Sequence, residues 1–255
     1  MERKVMVKGQ NINVVKAGDG PHKLICCPGA LGTIWTDFKP QIEGLDRNIF
    51  TVIVWDPPGY GKSRPPERIF DFTMYESDAD ATHDLMQALE YDKYSVLGWS
   101  DGGHSGMITA AKYPDHVEKL VVWATNAFIT EQEKEVFRKM IDISAWSEQM
   151  KAPFIEVYTE EIFQDMWRKW CNNLIEVEKN GGNICTHLLP HIKCPTFILH
   201  GDKDPMILPE HASHLASKIK ISKVLRFPEG KHNLHLKYSD EFNGLVTEFL
   251  LQEYK

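Results

Sequence analysis

The chain has 255 residues, of which 42% are hydrophobic and 25% charged, and its formal net charge is −7. That is a globular mix, long enough to bury a core without disulfides or metal, and too acidic for a nucleic-acid surface, which needs clustered Lys and Arg against phosphates. No stretch reaches the ~18 apolar residues of a membrane span, and Met1–Val5 opens no apolar signal segment, so the expectation is a chain that is neither membrane-spanning nor secreted.

Lys4–Lys16 alternates polar and apolar residues around Gly9, the pattern of an antiparallel hairpin. Lys23–Cys27 and Thr51–Trp55 are short apolar or β-branched runs ending at Pro or Asp, as expected of strands buried on both faces of a parallel sheet. Met74–Leu89 carries apolar residues at helical spacing. A strand at Tyr94–Gly98, a small-residue helix near Gly102–Lys112 and a strand at Leu120–Ala124 follow. After a gap come a strand at Thr196–His200, a helix near Glu210–Ile219, a strand at Val224–Phe227 and a helix near Asp240–Gln252. This alternation predicts βαβ units and a mostly parallel sheet.

Residues 127–191 break the rhythm. They contain Trp146, Phe154, Tyr158, Phe163, Trp167 and Trp170 among charges, with no strand-like run. We read them as amphipathic helices inserted between two strands, a cap on a core made of residues 1–126 and 192–255. A cap there would cover the carboxyl edge of the sheet, where open α/β sheets bind ligands. The alternative is a helical layer with no part in binding.

Cys26, Cys27, Cys171, Cys185 and Cys194 are odd in number, irregularly spaced and without a CxxC pair. Neither a disulfide framework nor a zinc site is expected, and an intracellular, reducing compartment fits.

The strongest motif is Gly98-Trp99-Ser100-Asp101-Gly102, between a strand and a helix. In that context G-x-S-x-G forms a sharp turn that lifts the serine hydroxyl above the sheet at a helix N-terminus. Glycines are needed because side chains would clash in the turn. N–H groups at the helix start can stabilise an oxyanion.

A serine needs a base, and the base an acid. The acid is sought after a late strand, in His200-Gly201-Asp202-Lys203-Asp204-Pro205, and the base after the next, in Gly230-Lys231-His232-Asn233. Asp202 competes with Asp204, which we favour, and His235 with His232, which we favour. His235 is read as opening the final helix. A zinc pair from His232 and His235 lacks the H-E-x-x-H arrangement. The other histidines, including His83, His104 and His187, are read as surface or packing residues. The second oxyanion donor, besides the N–H of Asp101, is expected from Pro28-Gly29-Ala30-Leu31-Gly32, at Ala30 or alternatively Leu31.

These stretches, with Trp55-Asp56-Pro57, Gly59-Tyr60-Gly61, Pro228–His235 and Gly182–Cys185 followed by His187–Pro190, resemble the biphenyl hydrolase-like, or valacyclovir hydrolase, family over nearly the whole chain. The resemblance implies an α/β-hydrolase fold with a mostly parallel eight-stranded sheet, helices on both faces and an inserted cap. It implies Ser100, Asp204 and His232 as catalytic triad and hydrolysis of α-amino acid esters, including nucleoside-analogue prodrugs, and of related thiolactones. It also implies that Asp101 binds the substrate's α-ammonium group, and a mitochondrial rather than cytoplasmic location. One departure is visible. Related hydrolases often carry Asp-x-Arg-Gly where this chain has Asp56-Pro57-Pro58-Gly59, a segment we read as structural.

Asp101 narrows the substrate. A carboxylate next to a developing oxyanion is unfavourable for ordinary esters, whereas a substrate ammonium at about 4 Å gains roughly 4 kcal/mol before desolvation, at an effective dielectric near 20. A net of about 1–3 kcal/mol corresponds to about 5- to 150-fold in selectivity. The residue alone could instead merely complement the helix N-terminus; the resemblance favours substrate binding. The expected partner is thus a small ester with a free α-amino group, acted on by a monomer without cofactor, metal, nucleic acid or membrane. The rivals are a carbon–carbon bond hydrolase of ring-cleavage products, whose anionic substrates Asp101 would disfavour, and a non-catalytic ligand receptor on the same fold.

Overall fold

The structure is a computed structural model that describes residues 2–254. Eight strands form one sheet: β1 (Glu2–Val7), β2 (Gln10–Ala17), β3 (His22–Cys27), β4 (Phe50–Trp55), β5 (Tyr94–Trp99), β6 (Val117–Trp123), β7 (Thr196–Gly201) and β8 (Ser222–Phe227). Their spatial order is β1-β2-β4-β3-β5-β6-β7-β8. β1 and β2 make the expected hairpin and join β4 antiparallel; every other pairing is parallel.

The apolar runs were readable because the central strands are covered twice. In β3, Leu24 and Cys26 enter one core while Ile25 and Cys27 enter the other; in β4, Val52 and Val54 oppose Ile53 and Trp55. Side chains alternate across a strand, so helices on both faces demand apolar residues at every position. One face packs with α1 (Ile34–Asp37) and α2 (Lys39–Gly44), and the other with α3 (Met74–Ala88) and α4 (Asp101–Lys112).

Residues 127–191 contain α5 (Glu131–Met140), α6 (Glu148–Tyr158) and α7 (Glu160–Lys179), and an isolated bridge between Phe128 and Asn183. Thr130 and Glu133 form a reciprocal capping box at the start of α5. The chain closes with α8 (Glu210–Lys218), α9 (Leu234–Lys237) and α10 (Ser239–Leu251). His235 therefore does not open the final helix. It lies in α9, fully buried, where its Nδ1 accepts from Trp123 Nε1 at 3.0 Å and Phe38 and Phe242 pack around its ring.

Asp56 shows why its segment is structural. Its buried carboxylate accepts from Ile34 N, Lys62 N and Asn13 Nδ2 at 2.8–2.9 Å. A guanidinium reaches the segment from later in the chain: Arg68 donates to the Pro58 carbonyl and, bidentately, to Asp78. All five cysteines are free and buried. Among the described residues, no helix is long and apolar enough to cross a membrane, and no group of three acidic, His or Cys side chains could hold a metal.

Candidate active site

Ser100 stands between β5 and α4 at φ 54° and ψ −118°, a conformation costing about 1–3 kcal/mol for a non-glycine residue. The turn closes because nothing projects from its glycines. A Cβ on Gly102 would lie 1.9 Å from the Cys27 carbonyl oxygen, and backbone on both sides leaves neither atom room to yield. Gly102→Ala is expected to lower stability by about 3 kcal/mol, read as a shift in the urea midpoint at unchanged slope. A shift below about 0.5 kcal/mol would show that the turn has slack.

Above the turn, three of the predicted side chains meet. Ser100 Oγ is 3.1 Å from His232 Nε2, and His232 Nδ1 is 2.8 Å from Asp204 Oδ2. Asp204 follows β7, and its other oxygen accepts from the N–H groups of Met206 and Ile207 at 2.8 and 3.1 Å. Burial pushes the Asp204 carboxyl up, but His232 and these two N–H groups outweigh it and hold the group below the ordinary carboxylate range. Asp202 is elsewhere, partly exposed and paired with Arg226. His232 and His235 have separate partners, so they do not converge on a common ion. Trp99, the variable residue of the motif, donates through Nε1 to the His232 carbonyl at 3.0 Å and thereby ties the base's loop to the serine's turn.

The loop after β3 passes beside Ser100. Its Gly29 N–H donates to Asp37, whose carboxyl burial raises to about 7, and the Gly32 N–H donates to the Gly29 carbonyl. The N–H groups between them belong to Ala30 and Leu31. Leu31 sits at φ 55° and its carbonyl accepts from Tyr158 of α6. From α4, the N–H of Asp101 is available because the first helical turn has no internal acceptors.

Asp101 is buried in the cleft wall next to Ser100. Its Oδ1 accepts from Tyr75 at 2.9 Å and its Oδ2 from Trp170 Nε1 of α7 at 2.8 Å. Burial raises its carboxyl to about 6, with Tyr75, Trp170 and Arg68 pulling the other way and Asp78 adding to the rise. Two hydrogen bonds leave a carboxylate with lone pairs to spare. The cleft, with a cavity volume of about 10 Å³, is walled mainly by apolar groups such as Ile129, Phe137, Leu174 and Met206, with His104 and Asn126 among them. It thus offers an apolar slot with one fixed acid beside a hydroxyl.

His104, read from the sequence as a surface or packing residue, is buried and lines the cleft, with Nδ1 3.7 Å from Asp101 Oδ1. Its position three residues after Asp101 puts both on one helix face, a spacing that could have revealed it. Tyr75 was also missed. It comes from the start of α3, 26 residues from Asp101, and no local pattern announces it.

The chain matches the family model described as alpha/beta hydrolase fold over residues 23–142 and 131–237. It is 43% identical over 248 residues to the human protein named serine hydrolase BPHL, covering 97% of this chain and 85% of that one. It is 28% identical to a 2-hydroxy-6-oxononadienedioate/2-hydroxy-6-oxononatrienedioate hydrolase of Pseudomonas sp., over 94% of this chain and 92% of that one. Among solved structures, 2-hydroxy-6-oxo-6-phenylhexa-2,4-dienoate hydrolase from Rhodococcus shares the fold with a TM-score of 0.81 at 14% identity, over 99% of each chain.

Proposed function

The chain belongs to the α/β-hydrolase fold family as a serine hydrolase, and from that premise we propose that it cleaves carboxylic esters of α-amino acids, with Ser100, His232 and Asp204 as its triad. His232 takes the Ser100 proton as the oxygen attacks the ester carbonyl, and Asp204 holds and stabilises the resulting imidazolium. The N–H groups of Asp101 and Ala30 bind the tetrahedral oxyanion. The alcohol leaves with the proton from His232, and water, activated by the same base, releases the amino acid. Helices α5–α7 act as a cap, supplying Phe137 and Trp170 to the slot and bracing the oxyanion loop through Tyr158.

The observation that carries the substrate class is the buried Asp101 carboxylate, fixed by Tyr75 and Trp170 at the wall of an apolar cleft beside Ser100. A buried charge without a counter-ion is costly; a substrate ammonium supplies one. The test is steady-state hydrolysis of an α-amino acid ester against its des-amino analogue. Asp101→Asn is expected to lower kcat/KM on the amine about 5- to 150-fold and on the analogue by less than about threefold. Equal losses would remove the ammonium-binding role. A wild type that hydrolyses neither ester but cleaves an anionic ring-cleavage product would establish the carbon–carbon reading instead.

The same pair has a pH signature. The carboxyl of Asp101 ionises near 6, and an α-amino group loses its charge near about 8. Preference for the amine is therefore expected to be largest between those limits and to fall as pH drops through 6, when Asp101 protonates. A preference flat from about pH 5 to 7 would contradict the assignment.

A further inference from the structure

We propose that His104 is a second acceptor of the ammonium seat, its Nδ1 and the Asp101 carboxylate taking a primary ammonium group between them. The proposal rests on the α-amino ester reading above.

The hydrogen-bond network assigns the tautomer of His104. Glu133 is fully buried at the start of α5, where it accepts from the N–H and hydroxyl of Thr130. A carboxylate only accepts, so Asn126 turns its amide N–H toward Glu133, at 3.5 Å, and its oxygen toward His104 Nε2, at 2.6 Å. His104 Nε2 must then carry the proton, which leaves the lone pair on Nδ1. Burial lowers this imidazole to about 4, so the ring is neutral near pH 7. The ring is held edge-on against Tyr75, with centroids 4.5 Å apart.

Nδ1 is buried and has no partner, and it faces Asp101 Oδ1 at 3.7 Å. Nδ1 has no donor, and Asp101 Oδ1, which takes the Tyr75 hydroxyl, keeps a lone pair, so two acceptors face each other with no donor between them. A nitrogen about 2.9 Å from each, carrying at least two N–H bonds and a positive charge, satisfies both at once. An N,N-dialkyl ammonium has one N–H and can serve only one acceptor. The seat thus selects unsubstituted amino esters over tertiary ones, and His104 acts as a specificity-determining residue that touches substrate.

The experiment measures kcat and KM for three matched esters, bearing a primary amine, an N,N-dimethylamine and no amine, on the wild type and on His104→Leu. On the wild type, dimethylation is expected to lower kcat/KM about tenfold. His104→Leu is expected to lower it about tenfold on the primary amine, mainly through KM, and less than about twofold on the other two. The losses from dimethylation and from the substitution would then not add. Additive losses, which mere steric crowding by the methyl groups predicts, would overturn the proposal, as would equal losses on all three esters, which a packing role predicts. If His104→Leu fails to fold, the wild type still decides: equal rates on primary and dimethyl esters refute the second acceptor. A wild type that prefers the amine over no amine while His104→Leu keeps that preference intact sinks the His104 role alone. A wild type with no preference for the amine sinks the α-amino ester reading itself.

Discussion

Ser100→Ala is expected to lower kcat by about 10⁶-fold, to the level set by binding and the oxyanion donors alone. The substitution removes only the Oγ that lies 3.1 Å from His232 Nε2 and leaves the turn's backbone as it is. His232→Ala should cost nearly as much, and the double variant no more than either one, because nucleophile and base act as a unit. Mass spectrometry of the wild type after a fluorophosphonate should place the adduct on Ser100, and Ser100→Ala should take up none. Residual turnover above about 1% in Ser100→Ala, beyond what contaminating esterase explains, would show a different nucleophile. A wild type without turnover on any ester, and without adduct, would instead favour a ligand receptor built on this fold.

The parts of this chain that were legible in its sequence are those governed by local rules. The central strands read as continuous apolar runs because helices cover both their faces, as the split of Leu24 and Ile25 between two cores shows. The elbow read as a turn because Gly102 has no room for a Cβ. Asp204 and His232 could be picked because chain order and position after a strand restrict the choice; Asp204 lies 2.8 Å from His232 Nδ1, while Asp202 pairs with Arg226. What stayed hidden is convergence over distance. Tyr75 and Trp170 reach Asp101 from 26 and 69 residues away, and which aromatic of the inserted helices faces the site depends on how those helices dock. His235 misled for the opposite reason. It was read as opening the final helix, whereas Trp123 Nε1 supplies a donor that lets its imidazole sit in an aromatic core.

Asp204→Asn is expected to lower kcat by about 10⁴-fold with little change in fold or KM. The substitution is isosteric, so its effect turns on which way the new amide faces. Met206 and Ile207 aim two N–H donors at the position of Oδ1, and an amide N–H₂ placed there would meet donors with donors. The carbonyl oxygen of the new side chain must therefore take that side, and its N–H₂ must face His232 Nδ1. A donor at that place forces Nδ1 to accept, which moves the imidazole proton to Nε2 and leaves Ser100 without a base. The variant also removes the charge that stabilises the imidazolium. Asp204 stays ionised well below neutral pH because His232 and the two N–H groups hold its carboxyl down against burial, so in the wild type this support should persist throughout the pH range in which Asp101 titrates. Asp202→Asn breaks only a partly exposed pair with Arg226 and should change kcat by less than about threefold. If Asp202→Asn costs more than Asp204→Asn, the acid has been assigned to the wrong residue; if Asp204→Asn loses less than about tenfold, His232 is oriented by something other than this carboxylate.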